Sequence, residues 1–247
     1  MKNVLNTAVS ALALAMAATV AYAAPVVPPP VVPPAYGSVV TQTGDQNEAT
    51  VTQDDVTNGS EITQIGNKHK ATVEQIGPLN WSIIEQSGTG APNIADVTQA
   101  GSKNESEVYQ SGADNEAIVK QGGVAWKSRV EQIGTGGIIN VDQTIDAKDA
   151  QSDVFQDASS NNGMTEVIQT GTENKSMITQ SDYENVANVT QTGTDTMSII
   201  NQSNSTAGNG NEANVFQYAD GAMSTITQDG NNNTATVIQG TAPVVTP

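Results

Sequence analysis

The sequence has no cysteine, so disulfide bonds, thiolate metal sites and cysteine nucleophiles are excluded at the outset. Aromatic residues are nearly as scarce. Two Phe, two Trp and five Tyr in 247 residues are few for the packed interior of ordinary globular domains. Histidine occurs once, at His69, without the partners that a ligand or catalytic role would need. Nine basic residues stand against 26 acidic ones, for a formal net charge of −17. Such a balance disfavours nucleic acid and anionic membrane surfaces as partners, because both attract Lys and Arg. No segment beyond the N-terminal one is apolar enough to cross a bilayer, so membrane insertion is not expected. Acidity with few aromatics also marks disordered chains, but a strict repeat overrides that interpretation here.

The repeat is visible in the glutamines. Gln42, Gln53, Gln64, Gln75, Gln86, Gln99, Gln110, Gln121, Gln132, Gln143, Gln156, Gln169, Gln180, Gln191, Gln202, Gln217, Gln228 and Gln239 form one series. Thirteen of its 17 intervals are 11 residues, three are 13 and one is 15. Two residues before each Gln stands Val or Ile. Four before stands Ser or Ala, except at Ile139 and Thr165. Offsets of two place these residues on one face of a strand. The other face is chemically mixed, as in Arg129 and Glu131 or Asp153 and Phe155, and is expected to be solvated. A fixed period of this kind signals a stacked repeat architecture.

A second order lies above the first. Ser-type and Ala-type strands alternate, and every Ala-type strand carries Val: Val51, Val73, Val97, Val119, Val141, Val167, Val189, Val215 and Val237. Ser-type strands mix Val, as at Val40, with Ile, as at Ile62. The repeating unit is therefore about 22 residues of strand, turn, strand and turn. Gly follows each Gln by two positions in eleven units, and Asn often follows three residues later, as at Asn47, Asn104, Asn115, Asn174 and Asn233. Both types are expected to supply the positive φ of tight turns.

These observations predict an all-β, two-sheet β-solenoid of cross-β type. It has about nine strand-turn-strand coils, Ser-type strands stacked in one parallel sheet and Ala-type strands in the other. At roughly 4.8 Å per coil the stack is about 43 Å long. A propeller or hairpin meander is the rival geometry, but it gives no reason for differences to segregate by parity. Buried amides are tolerable only if each bonds the amides above and below it, so the Gln series and the nine Val form the expected core stack. No capping element is evident at either end. Val40 and Gln42 on one side, and Val237 and Gln239 on the other, are the expected assembly ends, where coil stacks on coil and copies grow into filaments.

Residues 1–23 have the form of a signal peptide: Lys2, an apolar run from Ala8 to Val20, and the small-x-small site Ala21-Tyr22-Ala23. Residues 24–36 contain six of the ten prolines and favour polyproline II, as a spacer or secretion address. Residues 37–240 form the repeat region and 241–247 a C-terminal tail. No paired-acid, triad or phosphate-loop pattern occurs, so neither an enzyme nor a cofactor or metal site is expected. Asp54 and Asp55 are assigned to solubilising turn charge, and His69 to a satisfied turn residue.

The motif Ala-x-Val-x-Gln-x-Gly-x-x-Asn-x-Ser/Ala, carried by Asn115, Ala117, Val119, Gln121 and Gly123 among others, resembles the curlin repeat of bacterial curli subunits. That resemblance implies a secreted functional amyloid of a Gram-negative bacterium, forming homopolymeric cell-surface fibres in biofilm and adhesion. It also implies an outer-membrane secretion pore, a chaperone and a nucleator as partners. The repeat pattern looks somewhat closer to a nucleating minor subunit, whereas the number of coils favours a structural one. The proline-rich start departs from the family's usual secretion segment. A monomeric solenoid adhesin or ice-binding protein is the alternative, though Glu74, Glu85 and Lys120 interrupt the flat Thr surface that ice binding requires.

Overall fold

A short strand with Ser or Ala, Val or Ile, and Gln on one face can bury that face only against a second sheet. The computed structural model describes residues 37–143, 148–157, 160–204 and 207–242, and in it this solution recurs eighteen times. The signal-peptide and proline-rich assignments lie outside the described residues. The odd strands are β1 (Gly37–Thr43), β3 (Gly59–Gly66), β5 (Trp81–Gly88), β7 (Glu105–Ser111), β9 (Lys127–Gln132), β11 (Gln151–Gln156), β13 (Lys175–Gln180), β15 (Met197–Ser203) and β17 (Met223–Asp229). The even strands are β2 (Glu48–Gln53), β4 (Lys70–Ile76), β6 (Ile94–Ala100), β8 (Glu116–Gln121), β10 (Ile138–Gln143), β12 (Met164–Gln169), β14 (Val186–Gln191), β16 (Glu212–Gln217) and β18 (Thr234–Gln239).

Each set forms one nine-stranded parallel sheet in chain order. Like stacks on like: Ser106 lies between Ser82 and Ser128, Val108 between Ile84 and Val130, and Gln110 between Gln86 and Gln132. Longer connectors do not disturb this register, for Gln75 still pairs with Gln99 across an interval of 24 residues. Between the sheets the Val, Ile and Ala side chains merge into a single apolar core. The protein is thus a two-sheet β-solenoid of nine coils, with parity setting sheet membership.

Three expectations about finer detail are corrected. First, the Asn residues after the turn Gly do not adopt positive φ. That conformation falls on the residue just before them, whatever its type: Gln46, Lys68, Leu79, Lys103, Asp114 and Glu173 all have φ near +60°. The chain must reverse there to bring Asn inward; some units supply a permissive residue, as at Gly136, Asn162 and Asn232, but Gln46, Lys68 and Leu79 show that the backbone imposes the reversal without one. Second, the turn Gly serves two purposes. Gly88 has φ +142, while Gly171 does not need positive φ; at both, a Cβ would run into the carbonyl of the equivalent Gly one coil on, Gly112 and Gly193. Close stacking of turns, as much as dihedral freedom, therefore demands glycine. Third, the outer faces are not uniformly wet, since Ile83, in an outward column between Glu61 and Glu107, is buried.

Leu79 tests the turn geometry directly. Its φ is 62 and its side chain is 42% exposed, so packing offsets little of the left-handed strain. Leu79→Gly removes roughly 1–2 kcal/mol of that strain and restores about 0.5–1 kcal/mol of chain entropy cost. The expected outcome is a gain of up to about 1 kcal/mol, read as a higher denaturant midpoint with unchanged slope.

Candidate assembly site: amide columns and open ends

The Gln side chains form two unbroken hydrogen-bonded columns. In all sixteen contacts between successive coils, Nε2 of one Gln donates to Oε1 of the Gln one coil nearer the C-terminus, at 2.7–3.2 Å. The second N–H of most amides crosses to the opposite sheet: Gln99 donates to the Trp81 carbonyl at 2.8 Å and Gln110 to Ile94 at 2.9 Å. An interior Gln thus uses both donors and its carbonyl, which is what makes burial tolerable.

The columns place Gln64 through Gln228 in the interior. Gln42 is exposed and Gln53 and Gln239 are half-buried, because each lies in a terminal coil with a neighbour on one side only. Val51 and Val237 are likewise only partly buried and pack against the core, whereas the seven Val between them are buried. Val40 remains 45% exposed.

A further pair of columns, which sequence reasoning assigned to turns, lines the two edges of the interior. Asn115 is typical: its Oδ1 accepts from the Gly137 backbone N–H at 3.0 Å, and its Nδ2 donates to the Gly134 carbonyl at 3.0 Å. Asn47, Asn80, Asn93, Asn104 and Asn211 each repeat this pattern toward the next coil. His69 takes one place in the series. It is a buried link rather than a fully satisfied turn residue: its Nδ1 accepts from the Asn93 N–H at 3.1 Å, while Nε2 has no partner. An imidazole with that geometry carries its proton on Nε2. Both edge columns are interrupted in the middle of the stack. Trp126 and Ala150 stand in one and Gly137 and Gly163 in the other, each shown by its backbone pairing to occupy the Asn position, and the first column is replaced again by Thr196 and Ala222.

The Ser column behaves differently. Ser60 donates to Ser38 at 3.1 Å, but the hydroxyls of Ser82, Ser106, Ser128, Ser152, Ser176 and Ser198 are buried without partners. Small size, rather than hydrogen bonding, is what those positions require.

The outer face of the odd sheet concentrates charge. Lys127 pairs with Glu105 at 2.9 Å, and Arg129 reaches Glu131 at 3.0 Å while its guanidinium lies 5.8 Å from the Tyr109 ring. Burial, then the nearby Glu61 charge, pushes the Glu85 carboxyl above its ordinary range. Burial, then Glu107, pushes the Tyr109 hydroxyl up to about 12. Asp54 accepts from the Gly77 N–H, and Asp55 is held below the usual range by hydrogen bonds from the Thr57 hydroxyl and N–H. No group of three or more His, Asp or Glu placed to hold a metal ion occurs among the described residues.

Two measurements probe this account. Gln99→Leu leaves the Gln75 donor, the Gln121 carbonyl and the Trp81 carbonyl short of a partner. At about 1–3 kcal/mol per orphaned buried group, a loss of roughly 3 kcal/mol or more is expected in chemical denaturation, whereas Ser106→Ala is neutral or stabilising. Glu85→Gln tests the charge. A carboxyl with a raised folded-state pKa costs stability once the pH exceeds that pKa, so the variant is more stable than wild type at pH 7. The advantage disappears on acidification below the ordinary Glu value of about 4.3.

The geometry of the repeats agrees with the comparison to known families. Residues 90–123, which span β6 to β8, match the family described as Curlin associated repeat. No curated protein matches the chain. Residues 90–123 carry a curlin-associated repeat, and the other described coils are built on the same strand, turn and amide positions.

Proposed function

We propose that the chain is the structural subunit of an extracellular curli-like fibre that grows by stacking coils end to end. The observation that carries this reading is the complementarity of the two open ends. At the N-terminal end, Gln42 and Gln53 each donate along the column to Gln64 and Gln75, but nothing among the described residues donates to their carbonyls. At the C-terminal end, Gln228 and Gln239 donate once each, to the Glu212 and Met223 carbonyls, and keep one N–H apiece. Val39 and Val40 are exposed on the edge strand β1, and β18 closes the even sheet at the other end with no further strand on it among the described residues. Seating β1 and β2 of one copy on β17 and β18 of another extends both sheets and both amide columns. Along the columns, two like ends present acceptor to acceptor or donor to donor, and do not join.

The curlin repeat and the solenoid support a structural protein rather than an enzyme. In this reading residues 1–23 direct export and are removed, residues 24–36 link the leader to the repeat region at 37–240, and fibres form outside a Gram-negative cell. An outer-membrane pore, a chaperone and a nucleator would serve as secretion and assembly partners. Strong negative charge keeps the chain off nucleic acid and anionic membranes.

Carboxylates placed at the ends give a sharp test. Val40→Asp blocks the N-terminal end and Val237→Asp the C-terminal end, because stacking would bury an unpaired charge. Each variant alone should remain monomeric where wild type forms fibres, and a mixture of the two should give a discrete dimer and nothing longer. Analytical ultracentrifugation reads this directly. Dimers of either variant alone, or wild-type protein that stays monomeric at fibre-forming concentrations, would defeat the reading.

A further inference from the structure

Carboxylates are spread unevenly over the outer faces. In the odd sheet, Glu61, Glu85, Glu107, Glu131 and Asp153 point outward from β3 through β11, one or more in every strand. The next three strands break the pattern. Between its first residue and its Gln, each of β13, β15 and β17 turns out no acid. These outward positions hold Lys175, Met177, Met197, Ile199 and Met223, with Thr and Asn between them, and Met177 and Met223 are 48% and 63% exposed. Asp229 sits past Gln228 at the end of β17, where it accepts from the Ser203 hydroxyl. The even sheet has no comparable run, since Glu166 and Glu212 flank β14, and β16 separates β14 from β18.

We propose that this acid-free face of β13, β15 and β17 is a lateral contact surface for the same face of a second filament of this protein. The proposal rests on the end-to-end stacking above. In a stacked filament β1 follows β17, and β1 also carries no acid, so the acid-free run lengthens to four strands across each junction. Four strands at about 4.8 Å, each roughly 20 Å long, present on the order of 400 Å². That is about half of the ~800 Å² per partner in a stable pair. Single copies therefore do not dimerise through it. Filaments repeat the patch every nine coils, and many weak contacts in register hold two filaments together.

Charge selects the occupant. Elsewhere on the odd sheet a second copy would meet carboxylates already under strain: burial raises Glu85, Glu107 and Asp153, with like-charge repulsion from Glu61 on Glu85 and from Glu105 on Glu107. Pressing a chain of net charge −17 onto them would desolvate these carboxylates further. The Met, Ile and Thr face carries no carboxylate, and its one charge, Lys175, lies at the start of β13.

The test uses mature protein assembled into fibres and viewed by electron microscopy. Met197→Glu with Met223→Glu places carboxylates at strand positions where β7 already carries Glu105, so the coil accommodates them. The expected result is an unchanged yield of filaments, with bundles reduced to single-filament width. Val186→Glu, at the corresponding place in the even sheet, leaves bundles intact. A second arm avoids mutation. Hydrogen peroxide added to preassembled wild-type fibres transfers oxygen to the thioethers, giving methionine sulfoxides and water, and the bundles separate. Bundles of wild-type width after both treatments overturn the proposal, as do wild-type filaments that never pair. Bundling that requires added phosphatidylcholine vesicles would put a lipid on this face and overturns it equally. Absence of filaments of any width defeats the end-stacking itself, a different failure from single filaments.

Discussion

A primary amide buried in an apolar interior costs more than its own methylenes contribute unless every donor and acceptor is matched. That requirement governs the architecture. An amide can satisfy another of its kind directly above it only if successive coils lie one strand spacing apart, in parallel and without slip. The strict phase of Val, Ile, Ser and Ala around each Gln follows from it. A one-residue slip would turn the whole set outward and break the column in the same step. Connectors are free of this constraint, which is why all the variation in repeat length falls there.

The amides also give the stack a direction. All sixteen inter-coil Gln bonds run the same way. The edge Asn residues are also uniform but lean the other way: their side-chain oxygens accept from the following coil, whereas a Gln oxygen accepts from the preceding one. Aligned polar groups polarise one another, so each added coil meets a column already oriented to receive it. Each coil touches only its immediate neighbours, as in other solenoids.

Much of this was legible in the residues. Gln at a fixed phase, Val or Ile two before it, and segregation by parity together required two parallel sheets. What escaped was the arc between strands. Asn115 and its counterparts lie five residues after Gln, an odd offset that a strand's period of two assigns to the outside. The chain first passes through a left-handed residue, and Lys68, Leu79 and Glu173 carry no sign of that conformation. The fixed spacing of Asn from Gln was the available signal, since a turn residue chosen only for flexibility need not keep one position. His69 was placed in that slot, but its burial depends on what the slot faces.

The gaps in the edge columns have a mechanical meaning. Among the described residues, no Asn amide ties the arcs at Gly137, Ala150 and Gly163 to the next coil; Asn is again replaced at Thr196 and Ala222, but only around residues 126–163 are both columns broken together. The Gln132 to Gln156 bond at the same level is among the longest, at 3.2 Å, and among the described residues Gln156 donates to Gln180 alone. Tension along the axis would therefore concentrate inside each molecule, near its midpoint. A thread made of such units yields first within its links, and a coil that opens there remains tethered by its own backbone and can close again.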